Sequence, residues 1–330
     1  MSSSRTTNRK TKRAASHAGD WYTGDAPTLD AELTKWLGDV DATSESLPIR
    51  GCKAIIAPHA GYSYSGPTAA WAYKSIDTSG VKRVFILGPS HHIYLDGCAL
   101  STCQEYETPI GSLPLDLDVI KELRATGKFE DLTAKADEDE HSIEMHLPYV
   151  RKIFQDRDIK VVPVVVGAIS HSAEATYGAI LAPHLASEET LFVVSSDFCH
   201  WGTRFSYTFY YPEPLPSETP AVRLSRSVAP TAANPIHQSI RQLDHQGMNV
   251  LTLDPETASN AHAAFSEYLS TTKNTICGRH PIGVLLGALA ALESEKEIHP
   301  TLKWVRYEQS SACSTVRDSS VSYASAWVKF

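Results

Sequence analysis

Residues 191–202 read LFVVSSDFCHWG, and this stretch decides the predicted fold. An apolar run of four residues leads into two serines, after which an aspartate, a cysteine and a histidine follow within four positions. Continuous apolarity indicates a strand that is covered on both faces of a sheet. We therefore predict a central strand that ends in three side chains able to bind a metal, Asp197, Cys199 and His200.

Three other apolar runs have the same character. They are KAIIAP at 53–58, VKRVFILGP at 81–89 and KVVPVVVG at 160–167. Their continuous apolarity predicts central strands of a largely parallel or mixed sheet. Because helical and strand patterns alternate along the chain, we predict an α/β sandwich with helices flanking one sheet. Helical periodicity is found at 29–37, 117–126, 142–154, 175–185 and 281–292.

Histidines follow two of these strands in the same way as the ligands at the end of LFVVSS. His59 comes directly after residues 53–58, and His91 and His92 come directly after FILGPS. Side chains at the carboxyl ends of strands gather at one edge of an open α/β sheet. We therefore predict that His59 and His91 converge on one cleft with Asp197 and His200.

A cysteine supplies a further candidate. Cys277 lies in ICGRHP, just before an apolar helix opened by Pro281, a residue favoured in the first turn. A thiol near a helix N-terminus and near Arg279 is expected to have a lowered pKa. We predict that Cys277 is a thiolate ligand or a redox group, with a thiol nucleophile assisted by a neighbouring histidine as the alternative.

The segment DEDEHSIEMHLPY, residues 137–149, contains two histidines but is not a zincin motif. HExxH needs histidines four apart on one helix face, whereas His141 and His146 are five apart. We interpret the acids as the first turn of a helix that begins near Ser142. His141 or Glu144 is expected to face the site as an acid, a base or a partner of a ligand.

Composition and missing motifs exclude several classes of protein. The formal net charge of −8 argues against a nucleic-acid-binding surface, and no apolar run approaches the roughly 18 residues of a membrane span. The chain has no GxGxxG after a strand, no phosphate-loop motif and no GxSxG elbow. Six cysteines without CxxC spacing favour reduced thiols, so we predict a cytoplasmic protein, with a nuclear location as the alternative.

The domain prediction has three parts. Residues 1–13, MSSSRTTNRKTKR, contain five Lys or Arg and no acid, which predicts a disordered basic tail, with a nuclear-import patch or a transit peptide as alternatives. Residues 14–330 are predicted to form one α/β domain. Within it, residues 211–235 contain six prolines and little periodicity, which predicts a long inserted surface loop.

Taken together, these motifs resemble the Memo family, named for a mediator of receptor-driven cell motility. The resemblance extends over nearly the whole chain, outside the basic tail and the proline-rich segment. The matching stretches are ASHAGDWY (15–22), APHAGYSYSGPTAA (57–70), ILGPSHH (86–92), ETPIG (107–111), DEDEHSIEMHLPY (137–149), VVSSDFCHWG (193–202) and NTICGRHPIGVLL (274–286).

The resemblance implies a fold like that of the catalytic subunits of non-heme iron extradiol dioxygenases. It implies that His59, His91 and Cys277 form the metal site, with Asp197 and His200 beside it. The dioxygenases bind ferrous iron through two histidines and a carboxylate. A thiolate in the carboxylate's place alters metal preference and potential, so ring cleavage is not carried over to this chain.

The resemblance also implies two functions, which stay open as alternatives. Family members are described as binding iron or copper and as supporting copper-dependent redox chemistry, and zinc also suits two imidazoles and a thiolate. The other role is that of an adaptor that binds phosphotyrosine-containing peptides through the same pocket, with Trp21 near its mouth. Either role implies a part in signalling, motility or metal homeostasis. We further predict His200, Asp197 and His141 as catalytic groups.

Overall fold

The structure is a computed structural model that describes residues 12–41 and 46–330. Its strands, in chain order, are β1 (Lys12–Arg13), β2 (Cys52–Ala57), β3 (Arg83–Pro89), β4 (Cys98–Leu100), β5 (Glu105–Tyr106), β6 (Leu113–Pro114), β7 (Phe129–Asp131), β8 (Lys160–Val166), β9 (Thr190–Ser195), β10 (Asp197–Trp201), β11 (Phe209–Tyr210), β12 (Val222–Arg223), β13 (Thr301–Gln309) and β14 (Ser320–Lys329).

Helices connect and cover these strands. They are α1 (Ala26–Gly38), α2 (Tyr62–Lys74), α3 (Leu117–Ala125), α4 (Ala134–Asp139), α5 (His141–Glu144), α6 (Leu147–Ile153), α7 (His171–Ala186), α8 (Ile236–Leu251), α9 (Ala258–Thr272) and α10 (Arg279–Lys296), with a short 3-10 helix at Thr203–Phe205. None of the helices in the described part of the chain is long and apolar enough to cross a lipid bilayer.

A mixed sheet of nine strands lies at the centre, in the order β10-β14-β2-β9-β3-β8-β4-β7, with β13 paired to β14. The four inner strands β2, β9, β3 and β8 are parallel, so their carboxyl ends lie at the same edge. Strand β14 runs antiparallel to β2, and β4 runs antiparallel to β8. The prediction of a mixed sheet with flanking helices is confirmed.

Apolar side chains explain why these strands lie inside. Every residue of β2 and β9 is buried, as continuous apolarity predicted. Helices α7 and α10 pack against β9, whereas α2 packs against β2, β13 and β14. A glycine permits the close approach of α7 to α10, since a Cβ on Gly178 would lie 2.4 Å from the Ala288 backbone nitrogen.

One predicted helix is interrupted. Residues 142–154 were expected to form a single helix, but α5 ends at Glu144 and α6 begins at Leu147. Pro148 has no N–H to donate back to Glu144, and the His146 N–H donates instead to the Ile143 carbonyl at 3.1 Å. The other four predicted helices correspond to α1, α3, α7 and α10, and the four predicted strands correspond to β2, β3, β8 and β9.

The boundary of the predicted tail is wrong by two residues. Lys12 and Arg13 form β1, which pairs with β5, and the Arg13 side chain is fully buried. Its guanidinium bonds to Asp137 at 3.2 Å and to Glu144 at 2.6 Å. These carboxylates lie more than 120 residues away along the chain, so local composition could not reveal the pairing. Residues 1–11 of the predicted tail lie outside the described residues.

The proline-rich segment 211–235 contains the short strand β12, which pairs with β11. Three of its residues are buried, Tyr211, Leu224 and Asn234, and the others are half-buried or exposed. The Asn234 side-chain amide donates to the Tyr211 carbonyl at 2.8 Å. The segment therefore runs along the surface and is attached to the core at both ends.

Candidate metal centre

Three strand ends build the floor of the site. Strands β2, β3 and β9 end at Ala57, Pro89 and Ser195, and the residues two positions further on are His59, His91 and Asp197. The His59 and His91 ring centroids are 5.2 Å apart. The parallel arrangement of the strands thus brings together side chains as far apart along the chain as His59 and Asp197, which are 138 residues apart.

Cys277 joins them from the turn that precedes α10. Its Sγ lies 3.2 Å from His59 Nε2 and accepts a hydrogen bond from the Asp197 N–H at 3.3 Å. The turn approaches the end of β9 closely, since a Cβ on Gly278 would lie 2.3 Å from the Ser195 carbonyl oxygen. Glycine at this position is therefore required for the thiol to reach the histidines.

Among the described residues, three overlapping groups have ligand atoms within 4.8 Å of one another. They are His59 with His91 and Cys277, His91 with Glu140 and His141, and Asp197 with His200 and Cys277. The first group is the set that the sequence predicted as ligands. The geometry permits metal binding there, while the role of each residue stays a prediction.

A serine fixes the protonation of the His59 ring. Ser195 Oγ donates to the Ser142 carbonyl at 2.8 Å, so it accepts from His59 Nδ1–H at 2.6 Å. The ring proton therefore lies on Nδ1, and the Nε2 lone pair faces the Cys277 sulfur. This is the tautomer that a metal ligand needs.

A carboxylate fixes the His91 ring in the same state. Glu140 Oε1 accepts from His91 Nδ1–H at 2.9 Å, and Oε2 accepts from the His91 backbone N–H at 2.6 Å. Burial raises the pKa of Glu140, but the hydrogen bonds from His91 lower it by a larger amount, so the net shift of the pKa is downward. An ionised carboxylate can only accept, so the neutral His91 ring carries its proton on Nδ1 and its lone pair on Nε2.

Asp197 bonds to the backbone that carries His59. Its Oδ1 accepts from the backbone N–H groups of His59 at 2.9 Å and Ala60 at 3.3 Å. It therefore fixes the backbone that presents His59, whereas Ser195 orients the His59 ring. Its Oδ2 lies 4.0 Å from His200 Nε2, which places both groups beside Cys277.

Of the three candidate ligands on β10, Asp197 and His200 line the cleft and Cys199 lies in the core. The pairing of β10 with β14 shifts register between Asp197 and His200, so both side chains line the cleft although they are three residues apart. Cys199 is fully buried, and its backbone N–H donates to Asp244 at 3.2 Å. Cys199, the third candidate at this strand end, therefore lies in the core and does not line the cleft.

Burial keeps His59 and Cys277 uncharged. It lowers the pKa of His59 to about 3, so the imidazole is uncharged at neutral pH. It also raises the pKa of the Cys277 thiol well above the usual range, and the nearby Asp197 carboxylate adds to this effect. The expected lowering by the helix N-terminus and Arg279 is thus wrong, because desolvation outweighs both. Metal binding would displace the thiol proton.

His141 and Trp21 form a stack beside His91 and His59. The His141 ring lies 4.4 Å from His91 and 5.5 Å from His59, between centroids. Trp21 covers its other side at 4.3 Å and is 38% exposed. Burial lowers the pKa of His141 to about 3, and its Nδ1 has no hydrogen-bond partner among the described residues. A neutral imidazole with a free nitrogen therefore borders the site.

The remaining polar residues of the 137–149 segment face elsewhere. Glu144 does not line the cleft but accepts from the His17 N–H at 2.9 Å and from the Tyr22 hydroxyl at 2.8 Å. His146 is fully buried, and its Nδ1 lies 2.7 Å from the Tyr73 hydroxyl. His92 is exposed and meets His141 only edge-on, at 5.7 Å.

His59 and His91 line an open cleft of about 750 Å³, whereas Cys277 lies behind them and is not part of its lining. Trp21 and Tyr64 form part of its wall, and Arg204 reaches it from the 3-10 helix after β10. Serines 310, 311, 319 and 320 at the connection between β13 and β14 complete the lining. The cleft is therefore wide enough to admit a side chain or a small molecule, and it offers a cation and several hydroxyl groups.

Sequence reasoning missed the two residues that orient the histidines. Ser195 is hidden within the apolar strand, and Glu140 is one of several acids before a helix. The sequence did contain a signal for Glu140, because it is a carboxylate directly before His141, and such a carboxylate can orient a histidine. For Ser195 the sequence offers no such signal.

Comparison with known proteins agrees with this geometry. The sequence profile of the family described as Memo-like protein matches residues 13–327. Protein MEMO1 of Homo sapiens is 45% identical over 320 residues, which cover 96% of this chain and 97% of the human protein. Protein MEMO1 of Xenopus laevis is 46% identical over 320 residues, with the same coverage.

A more distant relative and one solved structure complete the comparison. The Protein memo-1 homolog of Caenorhabditis elegans is 42% identical over 314 residues, 95% of this chain and 81% of that protein. The crystal structure of uncharacterized protein JW3007 from Escherichia coli K12 has a TM-score of 0.44 and 15% identity, over 82% of this chain and 98% of that one. That last similarity is too weak to support a conclusion. The family match and the relatives confirm the resemblance inferred from the motifs, and the chain belongs to the Memo family.

Proposed function

We propose that this protein binds one redox-active metal ion, iron or copper, through His59 Nε2, His91 Nε2 and Cys277 Sγ. The observation that supports the proposal is the pair of fixed tautomers. Ser195 and Glu140 each accept the Nδ1 proton of a histidine, so each neutral ring has its lone pair on Nε2, and that of His59 faces the thiol. Orienting partners of this kind are usual for metal-bound histidines.

The donor set favours some metals over others. Two imidazoles and a thiolate suit iron, copper or zinc far better than magnesium or calcium, which prefer oxygen ligands. We propose iron or copper as the physiological metal and keep zinc as the alternative. Bound iron or copper would supply one-electron redox chemistry at the floor of the cleft.

The chain's own residues would then handle protons around the metal. His141 borders His91, and its Nδ1 makes no hydrogen bond and lies 3.7 Å from Glu140 Oε1, so we propose that this nitrogen exchanges a proton with a bound substrate. Asp197 and His200 lie on the Cys277 side, with Oδ2 and Nε2 4.0 Å apart. We propose that these groups are the catalytic residues of a metal-dependent oxidoreductase and that the protein acts in the cytoplasm, with the nucleus as the alternative.

A second candidate function is peptide binding without catalysis. Trp21 and Tyr64 are 38% and 61% exposed at the mouth of the cleft, and Arg204 stacks on Phe205 at 4.9 Å. Exposed aromatic rings and arginine are typical of recognition surfaces, and a guanidinium suits phosphate. We propose a phosphotyrosine-type peptide of a signalling protein as the ligand in this alternative.

Metal affinity distinguishes the two functions. We expect His59→Ala and His91→Ala to nearly abolish iron(II) and copper(I) binding in anaerobic competition titrations. Asp197→Asn should cost less, about 10- to 100-fold, because Asp197 fixes the backbone rather than the metal. The exposed His299→Ala is the matched control, and circular dichroism checks that each variant is folded.

Two outcomes would change the account. If Asp197→Asn loses metal as completely as His59→Ala, then Asp197 is itself a ligand. If all three variants keep their metal and the wild type shows no copper-dependent oxidant production, peptide binding is the better function.

Cys277→Ser should weaken the binding of copper(I) more than the binding of iron(II), since the thiolate is the soft ligand.

A further inference from the structure

We propose that a second cavity beside the metal cleft binds the cationic side chain of an arginine or lysine in a peptide partner. The cavity has a volume of about 490 Å³ and lies between residues 19–25, helix α1 and the start of α2. We call it the acidic pocket. It goes beyond the proposed metal function, because none of the predicted metal ligands lines it.

Aromatic rings form the walls of the acidic pocket. Trp36 meets Tyr62 edge-to-face with 5.9 Å between centroids, and Tyr62 lies 5.4 Å from Tyr22. Trp36 is seated on α2 at Gly66, where a Cβ would come within 2.7 Å of the indole. The rings are therefore held in place before any ligand arrives. Tyr22 and Tyr62 are buried and support the wall, whereas Trp36 and Trp21 are accessible, and an accessible ring face attracts a cation electrostatically.

Carboxylates add negative charge that no cation in the pocket offsets. Asp20, Asp25 and Glu32 line it, and its lining contains no lysine, arginine or histidine. Glu32 accepts from the Thr23 hydroxyl at 3.1 Å, and Asp25 caps α1 by accepting from the Thr28 N–H at 3.0 Å. Within residues 12–41 and 46–330, no ion pair involves any of these three carboxylates. Acids alone are common on surfaces, but here they stand around an aromatic cavity.

A peptide side chain fits this cavity better than a free ion does. Lysine and arginine have long apolar stems that can pack along aromatic rings while the charged head meets the carboxylates. Trp21 lines both the acidic pocket and the metal cleft, so an extended chain crossing Trp21 would place neighbouring side chains in the two cavities. Arg204 in the metal cleft would pair with an acidic residue of the peptide. The peptide partner would therefore carry a basic residue for the acidic pocket next to an acidic residue for the cleft.

The test compares two small probes that differ in charge. The probes are N-acetyl-arginine amide and N-acetyl-citrulline amide, which has nearly the same shape but no charge. Each is titrated into the ¹⁵N-labelled full-length protein while the indole N–H signals of its six tryptophans are followed by NMR. Trp21→Phe and Trp36→Phe assign the two signals. We expect the arginine probe to shift Trp36 and Trp21, and the citrulline probe to bind more weakly.

Charge-neutral variants make the test specific. Glu32→Gln and Asp20→Asn should each weaken the arginine probe by up to about fivefold, the size expected for a partly exposed ion pair. Glu267→Gln, an exposed glutamate on α9, is the control and should change nothing. His59→Ala should also leave the affinity unchanged, which separates this site from the metal centre. Equal binding of both probes, or shifts confined to other tryptophans, would overturn the proposal.

Discussion

Glu140 accepts three hydrogen bonds that fix the position of His91 and the turn before α5. They come from the His91 backbone N–H at 2.6 Å, from His91 Nδ1–H at 2.9 Å and from the Ser142 N–H at 2.9 Å. A carboxylate can accept all three at its two oxygens. A glutamine has one oxygen, and its NH₂ group would face a donor. At the scale of the residue, ionised Glu140 therefore holds His91 ready to bind a metal.

We expect Glu140→Gln to weaken metal binding by about 10- to 100-fold, the range usual for partners of metal-bound histidines. Asp139→Asn is the matched control one residue away, since Asp139 is half exposed and pairs with Lys135 at the surface. Anaerobic competition titration measures both variants. Equal affinity of the two variants would show that Glu140 does not orient a ligand.

The residues of the site were predicted to different extents. His59, His91 and Asp197 were predictable because each follows an apolar strand, and the edge where parallel strands end is a general feature of the fold. Ser195 was not, because its role depends on the hydroxyl bond to Ser142, which no sequence pattern reports. The pKa of Cys277 was predicted in the wrong direction, because burial cannot be read from neighbouring residues.

At the scale of elements, β1 and the segment after it cover the metal cleft. Arg13 bonds to Glu144, and Glu144 also accepts from the His17 ring at 2.8 Å and from Tyr22. This anchorage positions Trp21 against His141. The basic composition of residues 1–13 predicted disorder for Arg13. That prediction failed because the carboxylates that pair with Arg13 lie far away in the sequence. Local patterns did predict four helices, α1, α3, α7 and α10, and four central strands, β2, β3, β8 and β9, whereas α2, α9 and β14 were not predicted.

Arg13→Ala should lower the free energy of unfolding by about 3–5 kcal/mol, because it leaves two buried carboxylates without their cation. Lys12→Ala removes an exposed pair on the same strand and should cost less than about 1 kcal/mol. Urea denaturation measures both, and tryptophan emission reports whether Trp21 becomes more exposed. A loss for Arg13→Ala no larger than that for Lys12→Ala would contradict the anchorage.

At the scale of the whole molecule, one carboxylate joins three helices next to the metal centre. Glu174 of α7 accepts from His262 of α9 at 2.7 Å and from His280 of α10 at 2.6 Å. Burial raises the pKa of Glu174, but these hydrogen bonds lower it more, and the net shift is downward from 4.5. The stability that Glu174 contributes is therefore present above pH 4.5 and is lost as pH falls through the folded-state value.

The pH dependence follows from that sign. Glu174→Gln should be clearly less stable than the wild type at neutral pH, and the difference should shrink as pH falls below 4.5. Urea denaturation over this range measures it, with Glu267→Gln on α9 as an exposed control. If the difference in unfolding free energy between wild type and variant stays constant with pH, the ionised form of Glu174 does not stabilise the packing of the three helices.

The fold as a whole brings Cys277 to His59 across 218 residues of chain, and the central claim is that these two residues and His91 bind one metal ion. X-ray absorption spectroscopy of the anaerobic iron(II)-loaded protein tests it most directly. The account predicts one sulfur and two imidazoles around the metal in the wild type, and loss of the sulfur in Cys277→Ser. A wild-type spectrum with oxygen and nitrogen ligands alone, or a sulfur retained in the variant, would contradict it.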